Sequence, residues 1–350
     1  MDTGKLDAFM GRMLGELGAA ISVPLMLIGD RLGLFRAMHG AGALTSAQLA
    51  ARTNTDERYV REWLSAMAAV NIVEYDASAD AFQLPVEHGF ALAVEDSPAN
   101  LQGAFSVVSS CYFDWERLAD AYKTGEGVGW HEHHHSLFQG TDRFFRPGYR
   151  ANLIQSWIPA LDGMQARLQQ GAKVADVGCG YGSSTMLMAQ AFPQSRFYGF
   201  DYHDSSIEAA RREAAKTGLS ERVTFDVASA KAFPGTGYDF VTVFDCLHDM
   251  GDPVGAAAHI RRALRPDGVL LIVEPFAGDS LEENLNPVGR MFYAASAMVC
   301  TPGSRAQEVG ACLGAQAGEA RLRGVAEKAG FTRFRRASQT PFNLIFEARP

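Results

Sequence analysis

The stretch Val-Ala-Asp-Val-Gly-Cys-Gly-Tyr-Gly, residues 174–182, decides the fold class of this chain. Its first four residues are mostly apolar and predict a buried strand. The three alternating glycines allow the backbone to turn sharply and to lie directly against a ligand. A helix is predicted to begin just after the turn, near Ser183. Because open α/β sheets bind their ligands at the carboxyl ends of the strands, we expect a binding site at this turn.

Short apolar segments alternate with helical ones from residue 166 onward. Strands are predicted at 174–177, 196–200, 223–227, 240–244 and 269–273, with helices at 185–191, 205–216 and 254–264. This alternation is typical of a parallel sheet with helices on both faces. Two further strands, 331–339 and 343–348, are joined by a connection so short that they must be antiparallel. The predicted fold class is α/β, a Rossmann-like, doubly wound sheet of seven strands whose last strand is antiparallel.

The spacing of the glycines argues against a dinucleotide ligand. A strict GxGxxG motif requires a glycine where this chain has Ser183. Asp176, two residues before Gly178, would repel a pyrophosphate and would suit a cationic ligand such as a sulfonium that carries an α-amino group. An NAD-dependent oxidoreductase is the alternative, which tight binding of NAD would support.

The motif from Asp176 to Gly182, Asp201 at the end of the second strand and Asp245 at the end of the fourth resemble the class I S-adenosylmethionine-dependent methyltransferases. The resemblance covers residues 166–350. Together with the N-terminal domain described below, it extends to the two-domain O-methyltransferases, including actinobacterial, mycobacterial-type relatives.

The resemblance implies a role for each residue around the cofactor, S-adenosyl-L-methionine. Asp176, Gly178 and Gly180 would contact the methionine part, Asp201 would bind the ribose, Tyr202 would flank the adenine, Ser229 and Ala230 would border the adenine amino group, and Asp245 would face the cofactor. Ser229 stands where related enzymes often have an acid, so this adenine contact departs from the family pattern.

The segment 244–253 resembles the "LHDW-D" segment of O-methyltransferases, whose histidine deprotonates the acceptor hydroxyl. The resemblance implies that His248 is the general base and that Glu274, which ends the fifth strand, orients its imidazole. The expected activity is methyl transfer to a small-molecule acceptor, most simply to a hydroxyl group. Met250 replaces the family tryptophan, so the acceptor site differs from that of the aromatic O-methylating enzymes. The alternative for His248 is a purely structural histidine.

The acceptor pocket is expected between a helical, aromatic-rich connector, residues 96–165, and a lid, residues 276–320. The candidate lining residues are Trp130, Tyr149, Phe292, Tyr293 and Met298. Core or dimer packing is the alternative for all of these side chains.

Residues 1–95 follow a helix-turn-helix-wing plan. A capping box at Thr45–Gln48 predicts one helix start, Asp56 opens the next helix, and 72–84 predicts a short hairpin. Residues 1–100 carry 7 Lys/Arg and 13 Asp/Glu, a net charge of −6, which repels phosphate. We therefore expect a dimerisation domain and a homodimer; a cofactor-sensing, DNA-binding transcriptional regulator is the alternative.

The histidine-rich run 131–135 is expected to be an exposed loop with adventitious metal binding only, because consecutive histidines converge poorly on one ion. A second metal ligand for His248 would have to come from 285–300, which has no histidine. We therefore expect no functional metal.

Composition gives the remaining expectations. The net charge of −8 over 350 residues disfavours nucleic acid and anionic membranes as partners. Five scattered cysteines and a start without a basic segment favour a cytoplasmic protein. The apolar run 19–28, interrupted by Ser22 and Pro24, is expected to be too short for a bilayer.

Overall fold

The computed structural model describes all residues, 1–350, and they form two compact units. The first unit comprises residues 1–112 and 135–148, and the second comprises residues 113–134 and 149–350. Two helices contribute to both units, so the division does not follow a single point of the chain.

The first unit is helical with one small hairpin. Its elements are α1 (Thr3–Arg31), α2 (Leu34–Met38), α3 (Ser46–Thr53), α4 (Glu57–Ala69), β1 (Glu74–Asp76), β2 (Ala81–Gln83), α5 (Val86–Leu92), most of α7 (Ser136–Asn152) and the beginning of α6 (Gln102–Thr124). Strands β1 and β2 are antiparallel and form the wing.

Local capping explains where the winged-helix elements begin. The Thr45 side chain accepts from the Gln48 N–H at 3.2 Å, and the Gln48 side chain accepts from the Thr45 N–H at 2.9 Å. The Asp56 side chain caps α4 by accepting from the N–H groups of Arg58 and Tyr59. Trp63 on α4 is buried against Phe35 and donates to the Leu25 carbonyl at 2.9 Å. The predicted winged-helix plan is confirmed.

Helix α1 differs from the prediction, because Ser22 and Pro24 do not interrupt it. The helix runs through Pro24 over 29 residues, and the Ser22 hydroxyl donates to the Gly18 carbonyl at 2.7 Å. A proline removes one backbone hydrogen bond, which a helix of this length sustains. In length and composition, α1 meets the requirement for a membrane-crossing helix, a property shared with core helices and signal sequences.

The second unit contains the large sheet. Its elements are α8 (Met164–Gln170), β3 (Lys173–Val177), α9 (Ser183–Ala191), β4 (Arg196–Asp201), α10 (Asp204–Lys216), β5 (Val223–Val227), β6 (Tyr238–Phe244), α11 (Pro253–Ala263), β7 (Leu264–Pro275), α12 (Pro287–Ala295), α13 (Thr301–Arg305), α14 (Gly318–Lys328), β8 (Arg333–Gln339) and β9 (Asn343–Arg349).

The sheet has seven strands in the order β5-β4-β3-β6-β7-β9-β8. The first five strands in this order are parallel, and β9 runs antiparallel between β7 and β8. The chain leaves β3 toward one edge and returns to β6 on the other side of β3. The carboxyl ends of β3, β4, β6 and β7 therefore meet at this point of reversal. The predicted fold class is confirmed.

Candidate active site

The glycine loop after β3 folds back onto β4. The N–H groups of Gly178 and Cys179 both donate to the Phe200 carbonyl, and the Gly180 N–H donates to Asp201 Oδ2 at 2.9 Å. Gly180 has a φ of +52°, and a Cβ at this position would meet no atom within 4 Å. The loop therefore presents bare backbone to open space at Gly180, where a ligand can lie.

Asp176 is buried beneath this loop, and both of its carboxylate oxygens have partners. Oδ2 accepts from Ser184 at 2.7 Å and from Thr185 at 2.6 Å, and Oδ1 accepts from Thr242 at 2.9 Å. Burial raises the pKa of Asp176 despite these hydrogen bonds. The carboxylate ties β3 to β6 and to the start of α9, and its predicted contact with a methionine moiety stays a prediction.

Asp201 lies at the end of β4, beside the glycine loop. Its two oxygens accept from the backbone of Gly180 and of His203, each at 2.9 Å. Tyr202 is 47% exposed, and the backbone of Trp130 contacts its hydroxyl. Beyond β5, Ser229 is exposed and Ala230 is half-buried.

This arrangement fits the cofactor that the sequence predicts. Gly180 offers an open main-chain surface, and Asp201 places a carboxylate next to it, which can accept from a ribose diol. The aromatic ring of Tyr202 follows directly at the strand end. The residues that would hold S-adenosylmethionine are therefore brought to one rim of the sheet.

His248 lies in a short turn, Leu247–Asp249, directly after β6. Its Nδ1 is 2.5 Å from Glu274 Oε2, and the Leu247 N–H donates to the other oxygen of Glu274 at 2.9 Å. His248 is 3% exposed and Glu274 is 1% exposed. Because β6 and β7 are neighbouring parallel strands, the structure places these two residues together at the strand ends.

The second ring nitrogen of His248 also faces a carboxylate, since Nε2 is 3.1 Å from Asp249 Oδ1. Burial alone would lower the pKa of His248, but Asp249 and Glu274 outweigh it and raise this pKa well above its ordinary value. These carboxylates therefore favour the charged form of the imidazole, which must release a proton before it can act as a base.

Cys300 contributes a buried thiol to the same place. The potential metal-binding atoms of His248, Asp249 and Cys300 all lie within 4.8 Å of one another. Nitrogen, oxygen and sulfur ligands of this kind suit Zn²⁺. The expectation of no metal rests on the lack of histidines at 285–300, and Cys300 is a ligand of another kind in that range, so the expectation stays a prediction.

Asp245, at the end of β6, is part of a buried polar network. Its oxygens accept from the Tyr149 hydroxyl at 3.1 Å and from the Asn343 amide at 2.8 Å. Its φ is +48°, a left-handed conformation that aspartate adopts more easily than most residues. Burial, together with the nearby carboxylate of Glu274, raises the pKa of Asp245 to about 8. The predicted contact of Asp245 with a cofactor stays a prediction.

The predicted acceptor residues occupy different environments. Tyr149 is buried, and its ring packs against Trp157 and Phe244. Phe292 is buried in a small apolar cluster with Cys300 and Ala315. Trp130, Tyr293 and Met298 are each half-buried.

The expectation of an exposed loop at residues 131–135 is wrong for His133. His131 and His135 are exposed, but His133 is buried against Asp114. The reason is tertiary: the segment packs along α6, whose Asp114 accepts from both the His133 ring and the His134 backbone.

Sequence reasoning missed Asn343, Cys300 and Asp114 as members of the polar clusters. Asn343 had a detectable signal, because it begins the last strand and pairs with Pro275, next to Glu274. The others lie on turns or helices, and no periodicity marks them.

The chain matches two described domain families. Residues 168–330 match a methyltransferase domain, and residues 19–93 match an Rv2258c-like winged HTH domain. Among curated proteins, the sterol 24-C-methyltransferase of Aspergillus fumigatus is 28% identical over 258 residues, which is 73% of this chain and 61% of that protein. The chain thus spans less than two thirds of the length of this relative.

Solved structures with the same fold cover nearly the whole chain. An O-methyltransferase family protein of Burkholderia thailandensis has a TM-score of 0.70 at 17% identity and covers 100% of this chain and 98% of its own. Human N-acetylserotonin methyltransferase, solved in complex with S-adenosylmethionine, has a TM-score of 0.68 at 17% identity and covers 97% of both chains.

Proposed function

We propose that this chain, which joins a class I S-adenosylmethionine-dependent methyltransferase domain to an Rv2258c-like winged HTH domain, transfers a methyl group to a hydroxyl of a small-molecule acceptor, with His248 as general base. The observation that carries the proposal is the buried pair of His248 and Glu274 at the rim that also holds the glycine loop. The sterol 24-C-methyltransferase relative is named for a small-molecule acceptor, and this supports a small molecule as the acceptor here.

The proposed cofactor, S-adenosyl-L-methionine, supplies an activated methyl group on a sulfonium. Gly178 and Gly180 hold its methionine part, with Asp176 fixing the loop from below, and Asp201 accepts from the ribose. Tyr202, Ser229 and Ala230 border the adenine, and Asp245 closes the site from β6.

The chemistry that remains for the protein is alignment and proton removal. Alignment of the acceptor oxygen with the methyl group supplies most of the rate. Glu274 keeps the proton on Nδ1 of His248, so that Nε2 can take the proton of the acceptor hydroxyl once the imidazole is neutral. A bound sulfonium would lower the pKa of His248 by repulsion of like charges and favour this neutral form.

We place the acceptor beside His248, next to Trp130, Tyr149, Phe292, Tyr293 and Met298. All five belong to the second unit, and three of them are half-buried, as the walls of an accessible pocket would be. Aromatic and apolar walls favour an acceptor with an apolar ring or chain.

The test is the replacement of His248 by alanine. We expect His248→Ala to lose about 10²–10⁴-fold in S-adenosylhomocysteine release, the typical contribution of a general base, while S-adenosylmethionine affinity changes little. The acceptor is found by screening phenols, hydroxy acids and lipid-like alcohols with the wild-type protein. Undiminished turnover in the variant would remove His248 from the chemistry, and failure of the wild type to bind the cofactor in calorimetry would remove the activity itself.

We also propose that the chain forms a homodimer in the cytoplasm through its N-terminal domain. Helix α1 exposes a row of large apolar side chains that a partner copy would cover: Leu6, Phe9, Met10, Leu14, Leu17 and Ile21. Such a patch is larger than a soluble monomer commonly leaves in water.

A transcriptional regulator is the second candidate, because the winged HTH domain is a fold that binds DNA in other proteins. The charges oppose it. Arg58 and Arg61 on α4 are each paired with a glutamate of the same helix, at 2.5 Å and 2.9 Å. A gel shift that weakens with added salt would support the regulator, and its absence at low salt would exclude it.

A further inference from the structure

A second buried histidine, His133, lies in the second unit outside the pair of His248 and Glu274. Its side chain is 1% exposed, and that of its partner Asp114 is 8% exposed. His133 Nδ1 is 2.9 Å from Asp114 Oδ2, and the same oxygen accepts from the His134 backbone at 3.1 Å. Because the carboxylate can only accept, the His133 proton is held on Nδ1.

The other ring nitrogen of His133 is buried and has no hydrogen-bond partner. With the proton on Nδ1, this Nε2 is an acceptor with a free lone pair. Buried polar atoms are almost always paired in folded proteins, so an orphan acceptor held in a fixed direction by Asp114 indicates a group that arrives from outside the chain.

The segment that carries His133 connects two parts of the candidate active site. At its start, the Arg305 side chain donates to the Gly125 carbonyl at 2.9 Å, and the Val128 N–H donates to the Pro302 carbonyl at 3.1 Å. Further along, the Trp130 backbone contacts the hydroxyl of Tyr202 at the end of β4. The segment thus joins the proposed lid to the proposed cofactor rim.

The contacts of this segment with the lid lie close to His248, the proposed base. Pro302 follows two residues after Cys300, whose thiol lies beside His248. The segment around His133 carries aromatic contacts, since Trp130 is three residues before it and Phe113 stacks on the ring of the next residue, His134, at 4.0 Å. His133 therefore lies on a segment that carries aromatic side chains and contacts both the lid and the cofactor rim.

From this placement we propose that His133 Nε2 binds the methyl acceptor by accepting a hydrogen bond from it. The inference rests on the proposed function and adds to it a substrate class: an aromatic acceptor that carries a second hydrogen-bond donor, a hydroxyl or an N–H, besides the hydroxyl that is methylated. Asp114 acts as a positioning residue, because it fixes the tautomer and the direction of the imidazole.

The experiment is calorimetry on the full-length protein saturated with S-adenosylhomocysteine, with naphthol and the dihydroxynaphthalene isomers as probes. We expect at least one diol isomer to bind the wild type about 10-fold more tightly than naphthol, the contribution of one well-made hydrogen bond. In His133→Asn, which keeps a donor for Asp114 and removes Nε2, this preference should disappear while the affinities for naphthol and S-adenosylhomocysteine stay unchanged.

Two further variants separate binding from structure. His133→Gln, which restores a polar atom near the Nε2 position, should recover part of the diol preference, and His135→Asn, an exposed histidine of the same run, should keep all of it. The proposal is overturned if no diol binds the wild type better than naphthol, or if His133→Asn weakens both probes equally. Failure of the wild-type protein to bind S-adenosylhomocysteine would instead contradict the proposed function itself.

Discussion

Two carboxylates hold the imidazole of His248, one at each ring nitrogen. Glu274 lies 2.5 Å from Nδ1 and Asp249 lies 3.1 Å from Nε2, and both are close enough to stabilise the charged ring. A base needs the neutral ring, so this environment makes His248 a stronger base that is available at a higher pH. The two carboxylates therefore make the neutral imidazole of His248 a stronger base, but they reduce the fraction of the ring that is neutral at a given pH.

The pH dependence of methyl transfer follows from this environment. Because the pKa of His248 is raised, its neutral form grows only as pH rises through that value, and we expect the rate to increase from neutral pH upward. Glu274→Gln removes one of the carboxylates that raise the pKa, so the rising limb should move to lower pH. The measurement is S-adenosylhomocysteine release at saturating cofactor across a pH series. A limb that stays in place in Glu274→Gln would show that another group titrates.

The turn between β3 and α9 is the element on which the site depends. Two of its glycines have different physical reasons to be glycine. Gly182 has a φ of +77°, and a Cβ there would lie 2.4 Å from the Phe225 ring, whereas a Cβ at Gly180 would point into open space. Packing against Phe225 requires a glycine at position 182, whereas backbone conformation and access for a ligand require one at position 180.

Alanine at these two positions should therefore have separable effects. We expect Gly182→Ala to destabilise the fold by about 1–3 kcal/mol, through strain and overpacking against Phe225. Gly180→Ala should cost less stability but weaken S-adenosylmethionine binding at least about 10-fold, because its methyl group occupies the open space. Thermal unfolding and calorimetry measure the two effects, and equal losses in both variants would contradict this division.

At the scale of the whole molecule, the exposed apolar row of α1 is the feature most in need of a partner. Leu14 and Leu17 are 68% and 63% exposed, and burying such side chains yields about 1.5–3 kcal/mol each. A second copy of the chain is the simplest partner, since the same row would face itself across a two-fold axis.

A charge placed in this row should dissociate the dimer. We expect the double variant Leu14→Asp/Leu17→Asp to sediment as a monomer where the wild type sediments as a dimer, while Tyr59→Asp, at an exposed aromatic of α4, leaves the dimer intact. Analytical ultracentrifugation over a range of concentrations makes the comparison. A monomeric wild type would refute the proposed assembly.

The features that depend on local interactions could be predicted from the amino-acid sequence. The strand and glycine turn at 174–182, the alternation of strands and helices, and the capping box at Thr45 all follow from periodicity, backbone freedom and contacts within one turn. Strand ends were predictable for the same reason, and they brought Asp201, Asp245, His248 and Glu274 to one rim of the sheet.

The packing of the folded chain sets which side chains face these residues. It brought Asn343 from the last strand to Asp245, 98 positions away, and placed Cys300 beside His248 and Asp249. It also buried His133 against Asp114 within a run whose outer histidines, His131 and His135, stay exposed. Such contacts depend on packing between elements distant in sequence, and no local pattern in the chain encodes them.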